Sequence, residues 1–366
     1  MADWLELVQG EKLTVKKGWI VTEMAGAKKT VLMAVLAMAG MGVSVLAQAP
    51  AVVSPATAEA EQAAEPQAPA PHAAPANPFP AVNLKNFTAD SPTTAEVNAF
   101  LKETWGYDDN RTWSVAAIQK TAAPGVASVV VLVADKSQPG KLGRYEFFVT
   151  PDGKHAIAGG VVDFGVHPFA DRRALLQQQA NGAAEGAAGK DLLLVEFTDL
   201  LNEKSKAAQD AINSLLKDIP QARVVFENLP AEGSPYAFRA AAEGVCVRKA
   251  KGDAAFYTYM QTVFDKQKSL TATTLEAALD AAAAGAGADP KSVDACAVSP
   301  ETKADVEASI ALGKAAGVDV APALIVNGRA LPPTAVPYDT LKRIVAYQAQ
   351  LDGIDVHVQP TLSNLK

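Results

Sequence analysis

Apolar positions between residues 191 and 350 follow two different spacings. Three short apolar runs, each bounded by turn residues or proline, predict strands over Asp191–Phe197, Ala222–Phe226 and Ala323–Val326. The longer stretches between them have helical spacing and predict helices over Lys204–Lys217, Tyr236–Ala284, Lys291–Cys296 and Glu301–Ala316. A fourth strand, Arg329–Leu331, follows the turn Asn327-Gly328, and Pro337 opens a closing helix through Gln350. This order predicts an α/β domain over residues 191–350, followed by a tail at 351–366.

Residues 81–170 show a different order of elements. Thr93 or Thr94 is a suitable N-cap for a helix whose apolar face carries Val97, Phe100, Leu101 and Trp105. Strand-like runs follow at Trp113–Ile118, Ala127–Ala134, Arg144–Thr150 and His155–Val162. One helix against an antiparallel sheet predicts a small α+β domain. The Gly/Ala-rich segment Asn181–Gly189 is interpreted as a flexible joint to the second domain.

An uncharged apolar run, Thr30–Ala47, follows two lysines near the N-terminus. This pattern is typical of a secretory signal, with small residues before Gln48 at the cleavage position. Two interpretations stay open. Either Met24 is the start and residues 24–47 are a cleaved signal peptide, which we favour, or Met1 is the start, residues 1–23 are an N-terminal extension, and the run is an anchor in the inner membrane. Both place the remainder in the periplasm or another extracytoplasmic compartment, with membrane contact only through this segment.

Residues 48–80 are rich in Ala, Pro and Glu and lack periodic apolar positions. Repeated proline blocks a helix, and few apolar side chains are available for a core. This composition predicts a disordered, extended linker.

Composition and charge exclude several classes of function. The 366 residues carry a formal net charge of −7, and Lys and Arg are scattered, which argues against nucleic-acid binding. The two cysteines, Cys246 and Cys296, form no C-x-x-C pair, and the four histidines show no ligand spacing. We therefore expect no metal and no cofactor.

Four separated segments carry a resemblance to a known family. They are VEFTDLLNEKSK (195–206), RVVFENLP (223–230), AAEGVC with FYTYMQTVFD in the helical stretch, and LGKAAGVDVAPALIVNGR (312–329). In this order they resemble the DsbA-like thioredoxin family. The resemblance implies an α/β thioredoxin fold with a helical insert over residues 191–350.

A second resemblance lies in the small domain. FFVTPDGKHAIAGGVVDF (147–164) is similar to the end of the N-terminal domain of the DsbC and DsbG disulfide isomerases. It implies that the α+β domain is cystatin-like and forms a homodimer. It also implies that Pro168–Ala180 is the linker helix of this family, so that residues 171–190 join the two domains.

The residues that would carry redox chemistry are absent from the matching positions. In active members of the DsbA-like family, the V-E-F-x-D strand is followed by x-x-C-x-x-C-K; here Asn202 and Ser205 occupy the cysteine positions. A carboxamide cannot attack a disulfide, and the pKa of a serine hydroxyl is too high for it to substitute. Glu196 matches the buried acid of the family and Pro322 its cis-proline. The resemblance implies a binding groove formed by Asn202, Glu203, Lys204, Ser205, Ala321 and Pro322.

Simpler interpretations of these residues stay open. Asn202 is a good helix N-cap without any further role, and Pro322 also suits the start of a strand. In an oxidising compartment Cys246 and Cys296 most simply form one bridge, as a second cysteine pair does in many members of the resembled family. We favour a structural bridge over a relocated redox pair.

Three functions follow from these observations. We favour an exported, redox-inactive protein that binds unfolded or extended protein segments, as a chaperone or as an accessory subunit of an envelope complex. The alternative is an enzyme, either a thiol–disulfide oxidoreductase or isomerase using Cys246 and Cys296, or a glutathione-dependent enzyme using Ser205, as the resemblance of kappa-class glutathione transferases to DsbA implies. The third is a structural role, with the linker holding the domains near the membrane.

Overall fold

The computed structural model describes residues 77–356. The extension at 1–23, the signal or anchor at 24–47, nearly all of the linker at 48–80 and most of the tail at 351–366 lie outside the described residues. Within residues 77–356, no helix is both long and apolar enough to cross a membrane.

The small domain packs one helix on a five-stranded antiparallel meander. Helix α1 (Thr94–Trp105) starts with a capping box, in which Thr93 and Glu96 each bond the other's backbone N–H. The strands follow in chain order: β1 (Arg111–Lys120), β2 (Ala127–Asp135), β3 (Leu142–Val149), β4 (His155–Ile157) and β5 (Val161–Asp163). The run predicted over His155–Val162 is therefore two short strands, which leaves β5 at the sheet edge. The domain core joins the apolar face of α1 to the inner face of β1–β3.

The second domain has a thioredoxin-like fold. Its sheet contains β6 (Ala183–Gly186), β7 (Leu192–Thr198), β8 (Ala222–Asn228), β9 (Ala323–Val326) and β10 (Arg329–Leu331) in the order β10-β9-β7-β8-β6. Strands β7 and β8 are parallel, and the other pairs are antiparallel. On one face lie α3 (Glu203–Asp218) and α9 (Tyr338–Leu351); on the other lie α2 (Ala170–Gln179) and α8 (Pro300–Ala315).

A helical insert lies between β8 and β9. It contains α4 (Pro235–Lys251), α5 (Asp253–Lys266), α6 (Leu275–Gly285) and α7 (Pro290–Ala297), and α8 leads back to the sheet. The helical stretch predicted over Tyr236–Ala284 is interrupted at Gly252, which has a positive φ of 86°, and again between residues 267 and 274. Large side chains from α4–α6 fill its interior, with Phe256, Tyr259 and Phe264 almost fully buried.

The flexible joint predicted over Asn181–Gly189 is wrong in its first half. Strand β6 forms there and pairs with β8 at the edge of the sheet. A Cβ on Gly182 would overlap the carbonyl oxygen of Phe226, and one on Gly186 would overlap that of Ala222. The glycines therefore allow close main-chain approach.

Three hydrogen-bonded side chains fix the two domains to each other. The buried Arg329 guanidinium donates to the carbonyls of Glu103 and Thr104, at 3.1 and 2.8 Å, where α1 ends. The positive charge of Arg329 also interacts favourably with the negative end of the helix dipole at the C-terminus of α1. Tyr347 donates to the Lys102 carbonyl at 2.8 Å, and Arg172 forms an ion pair of 2.6 Å with Asp163.

Candidate functional site

Asn202 caps the N-terminus of α3. Its side-chain oxygen accepts from the Lys204 backbone N–H at 2.9 Å. The side-chain nitrogen donates to the main-chain carbonyl of Ala321 at 3.0 Å, 119 residues along the chain. Both functional groups of the amide are therefore engaged, and neither is a nucleophile.

The loop before Asn202 is held by its neighbours. The carboxylate of Asp199 accepts from the backbone N–H groups of Leu201 and Ala231, at 2.8 and 3.0 Å. Gln267, from the helical insert, donates to the carbonyls of Leu200 and Asn202. These bonds fix the turn that positions the start of α3.

The segment facing Asn202 leads into β9 and contains the exposed Val320. The Ala321–Pro322 peptide bond is cis. Val320, just before it, is 75% exposed, whereas Ala321 is buried. Within residues 77–356, the backbone N–H of Ala321 has no hydrogen-bond partner. The main chain before Pro322 therefore has one hydrogen-bond donor that is unpaired among the described residues, next to the exposed Val320.

Glu196 lies on β7 beneath this site and is fully buried. One carboxylate oxygen accepts from the Thr198 hydroxyl at 2.7 Å, and the other has no partner among the described residues. Burial raises the pKa of Glu196 to about 7, and the Thr198 bond offsets only part of this rise. Burial thus favours the protonated form of this carboxyl.

Ser205 lies in the first turn of α3 and is also fully buried. Its hydroxyl has no partner among residues 77–356. It lines neither of the two cavities described below, and Glu203 lines neither of them either. The structure therefore places Ser205 beneath the surface, with no access to a ligand from solvent.

Two cavities share the segment Asp319–Ala321, in which Asp319 and Val320 are exposed. The first, of about 620 Å³, lies between the small domain and the cis-proline. Its wall combines aromatic side chains of the small domain with Lys204, Pro322 and the start of β9; the aromatic residues are Phe100, Trp105, Tyr145 and Phe147. The second, also of about 620 Å³, is lined by Asn202 and by the loop that leads into α4.

No sequence pattern predicts the first cavity. Phe100 and Trp105 were predicted as core residues from their helical spacing, and Tyr145 and Phe147 lie in a predicted strand. Trp105 and Tyr145 make an edge-to-face contact with ring centroids 5.7 Å apart. Only the docking of two domains brings these rings next to Pro322.

Cys246 and Cys296 form a disulfide that joins α4 to α7, with Cα atoms 6.0 Å apart. Cys246 is buried and Cys296 is half-buried. The Thr302 hydroxyl lies 3.5 and 3.4 Å from the two sulfurs, and the Lys249 amine is 3.4 Å from the same hydroxyl. Lys249 is also paired with Asp305 at 2.6 Å. In the part of the chain that the structure describes, no cluster of His, Cys, Asp and Glu could hold a metal ion.

Comparisons with known proteins support the fold. Residues 217–346 match a family model described as thioredoxin. No curated protein matches the chain.

Several solved structures are similar to about half of this chain. A periplasmic thioredoxin-like protein from Salmonella enterica serovar Typhimurium is 22% identical, with a TM-score of 0.42 over 49% of this chain and 96% of that one. The catalytic domain of Proteus mirabilis ScsC is 22% identical, with a TM-score of 0.42 over 50% and 97% of the two chains. Oxidised BdbD from Bacillus subtilis is 19% identical, with a TM-score of 0.41 over 46% and 93%.

Proposed function

We propose that this protein is exported and binds extended protein segments in the cell envelope, without thiol–disulfide chemistry of its own. The observation that carries the proposal is the position of Asn202. It caps α3 beside the cis-proline, where a redox thiol would be needed, and both ends of its amide are hydrogen-bonded. The elements that would form a peptide groove are present, but a side-chain amide stands where the redox thiol would be needed.

The main chain next to Pro322 supports peptide binding. An extended segment gains affinity from main-chain hydrogen bonds and specificity from pockets for alternate side chains. The free N–H of Ala321 supplies a donor, and a cavity lies on each side of this segment. The chain would act as a chaperone or as an accessory subunit of an envelope complex.

The proposed location rests on the N-terminal sequence and on a relative. The apolar run after two lysines is typical of an export signal. One similar structure is of a protein described as periplasmic. Fractionation of cells that produce the full chain tests this, and recovery only from the cytosol would contradict it.

Activity assays on the purified full chain test the absence of redox chemistry. We expect no reduction of insulin and no reactivation of scrambled ribonuclease, together with suppressed aggregation of an unfolded client. Substituting exposed Val320 by Asp should weaken that suppression, whereas Val298→Asp, at a valine that is 71% exposed and lines neither cavity, should not. Insulin reduction that disappears in Cys246→Ala would overturn the proposal.

A second candidate is an oxidoreductase that uses the disulfide of the helical insert. Cys296 is half-buried, and a lysine amine approaches the hydroxyl that contacts both sulfurs. A nearby cation favours a thiolate. Trapping a mixed disulfide at Cys296 in the Cys246→Ala variant would support this candidate. The glutathione alternative has no such support, because Ser205 is completely buried.

Homodimer formation remains a proposal for the small domain. Phe148, Ile157 and Val161 are cross-strand neighbours on one face of β3–β5 and are 39–61% exposed. An exposed apolar row of this kind suits self-association. Light scattering should show a dimer that Phe148→Glu dissociates, while Leu142→Glu, at the other end of β3, leaves it intact.

A further inference from the structure

We propose that the small domain supplies half of the peptide site, as an apolar pocket for one large side chain of the bound segment, and that Lys204 pairs with an acidic residue beside that side chain. This inference rests on the proposed function. It assigns the aromatic side chains of α1 and β3 a role in recognition, whereas the proposed dimer uses Phe148 on the opposite face of β3.

The cavity has the size and lining of a binding site for an apolar group. Clefts of roughly 300–1,000 Å³ with mostly apolar walls and few polar groups are typical of ligand sites. This one, at about 620 Å³, has aromatic side chains on the small-domain side. On the other side lie Val318, Pro322 and Leu331.

The cations within the wall are already paired, so a charged group gains little inside the cavity. Arg172 donates to Asp163 and to the carbonyls of Ala316 and Gly328, all at 2.6–2.8 Å. Arg329 donates to two carbonyls of α1 and faces the rings of Tyr107 and Phe169. The interior therefore favours an uncharged, apolar occupant.

Lys204 is the cation at the rim whose charge is open to a ligand. It is exposed in the first turn of α3, and no carboxylate among the described residues pairs with it. The helix dipole adds to its attraction for an anion. Asp319 also lines the cavity and is exposed. Its carboxylate would repel an acidic peptide residue placed near it. The charge pattern thus favours an acidic residue near Lys204.

The occupant is a peptide because the cavity opens onto unpaired main chain. Val320 and Ala321 line the cavity, and a strand added to them would direct alternate side chains to opposite sides. A free fatty acid also has an apolar part, and its carboxylate could accept from the Ala321 N–H, but it has no main chain with which to form the further hydrogen bonds of an added strand.

Hydrogen bonds fix the small domain to the second domain, so its side chains can form one side of the cavity. Arg329, Arg172 and Tyr347 bond it to the second domain through main-chain carbonyls and one carboxylate. The bonds from the two arginines are charge-assisted and are therefore among the stronger hydrogen bonds in proteins. The pocket is therefore formed before a peptide arrives, which reduces the entropy cost of binding.

Fluorescence anisotropy with a labelled extended peptide tests the inference on the full chain. The peptide carries one Phe next to one Asp, and two comparison peptides replace Phe by Ala or Asp by Lys. Loss of the Phe side chain should weaken binding by about tenfold to a hundredfold. In Lys204→Glu, the Asp peptide should bind up to about fivefold more weakly and the Lys peptide correspondingly more tightly.

Ala158→Trp tests the pocket itself. Ala158 is half-buried in the turn between β4 and β5 and lines the cavity, so an indole there would occupy part of the space. We expect about tenfold weaker binding of the Phe peptide and little change for the Ala peptide. Ala122→Trp, at an exposed position of the same domain outside both cavities, is the control.

The outcomes separate the inference from the proposed function. If Val320→Asp abolishes peptide binding while Ala158→Trp and Lys204→Glu leave it unchanged, the small domain forms no part of the peptide site. The proposed peptide-binding function is then supported, and only the further inference is wrong. If the wild-type chain binds no peptide, both fail. Tight binding of laurate that displaces the peptide and is lost in Ala158→Trp would show that the pocket takes a lipid, which overturns the inference.

Discussion

The side-chain amide of Asn202 donates to the main-chain carbonyl of Ala321 at 3.0 Å, while its oxygen caps α3. One side chain thus joins the start of the first thioredoxin helix to the residue before the cis-proline. We expect these two hydrogen bonds to contribute to stability.

Replacing Asn202 by Ala should lower the free energy of unfolding by about 2 kcal/mol, because it removes a helix cap and a second hydrogen bond. Asn202→Ser retains a capping oxygen but is too short for the Ala321 carbonyl, so it should lose about half as much. Urea unfolding followed by circular dichroism measures both. Equal stability of the Ala and Ser variants would show that the cap contributes nothing.

Introducing two thiols tests whether the start of α3 and the cis-proline still support thiol–disulfide exchange. The double variant Asn202→Cys with Ser205→Cys places one thiol at the N-terminus of a 16-residue helix, where the dipole and free N–H groups favour a thiolate. We expect this variant to reduce insulin with dithiothreitol as the electron source. Asn202→Ala with Ser205→Ala should be as inactive as the wild type. A folded but inactive cysteine variant would mean that the site has lost more than its sulfur atoms.

The main elements could be predicted from the sequence because their signals are local. The strand runs and the cap at Thr93 depend only on neighbouring residues. The choice of Asn202 as a candidate site residue depends only on its position three residues after the V-E-F-x-D segment. The Asn202–Ala321 bond could not be predicted, because it joins two loops 119 residues apart. The aromatic pocket depends in the same way on how two domains dock. Strand β6 was missed because its residues, Ala183–Gly186, have no apolar pattern, and pairing with β8 determines its conformation.

Gly186→Ala distinguishes a strand from a flexible joint. Gly186 has φ of 89°, and a Cβ would overlap the Ala222 carbonyl. Gly287 has φ of 78° with nothing near its Cβ position. Gly287→Ala should therefore cost only about 1–2 kcal/mol for the backbone conformation, and Gly186→Ala about 1–3 kcal/mol more. A flexible joint would tolerate Ala at residue 186 better than at residue 287.

The disulfide of the helical insert should be a major source of stability. It closes a loop across a sequence separation of 50 residues, and the chain-entropy model assigns such a bridge about 4 kcal/mol. Cys246→Ala with Cys296→Ala should lose that amount in guanidinium unfolding. Dithiothreitol should destabilise the wild type by a similar amount and leave the double variant unchanged. A wild type unaffected by complete reduction would contradict a structural role.

Glu196 should make the protein less stable as the pH rises. Burial raises the pKa of its carboxyl from 4.5 to about 7, so the folded state binds the proton more tightly than the unfolded state. The stabilising contribution is complete below pH 4.5 and is lost as the pH rises through about 7. Glu196→Gln keeps the shape and cannot ionise.

At pH 8 this variant should therefore be more stable than the wild type by up to about 3 kcal/mol, and the two should be nearly equal at pH 4.5. Urea unfolding at both pH values gives the difference directly, and the exposed Glu232→Gln serves as the control because its carboxylate is solvated in both states. Other titrating groups affect both proteins alike, so they cancel in the comparison. A difference that does not change between pH 4.5 and 8 would mean that Glu196 stays ionised in the fold, with a cation or ordered water at its unpartnered oxygen.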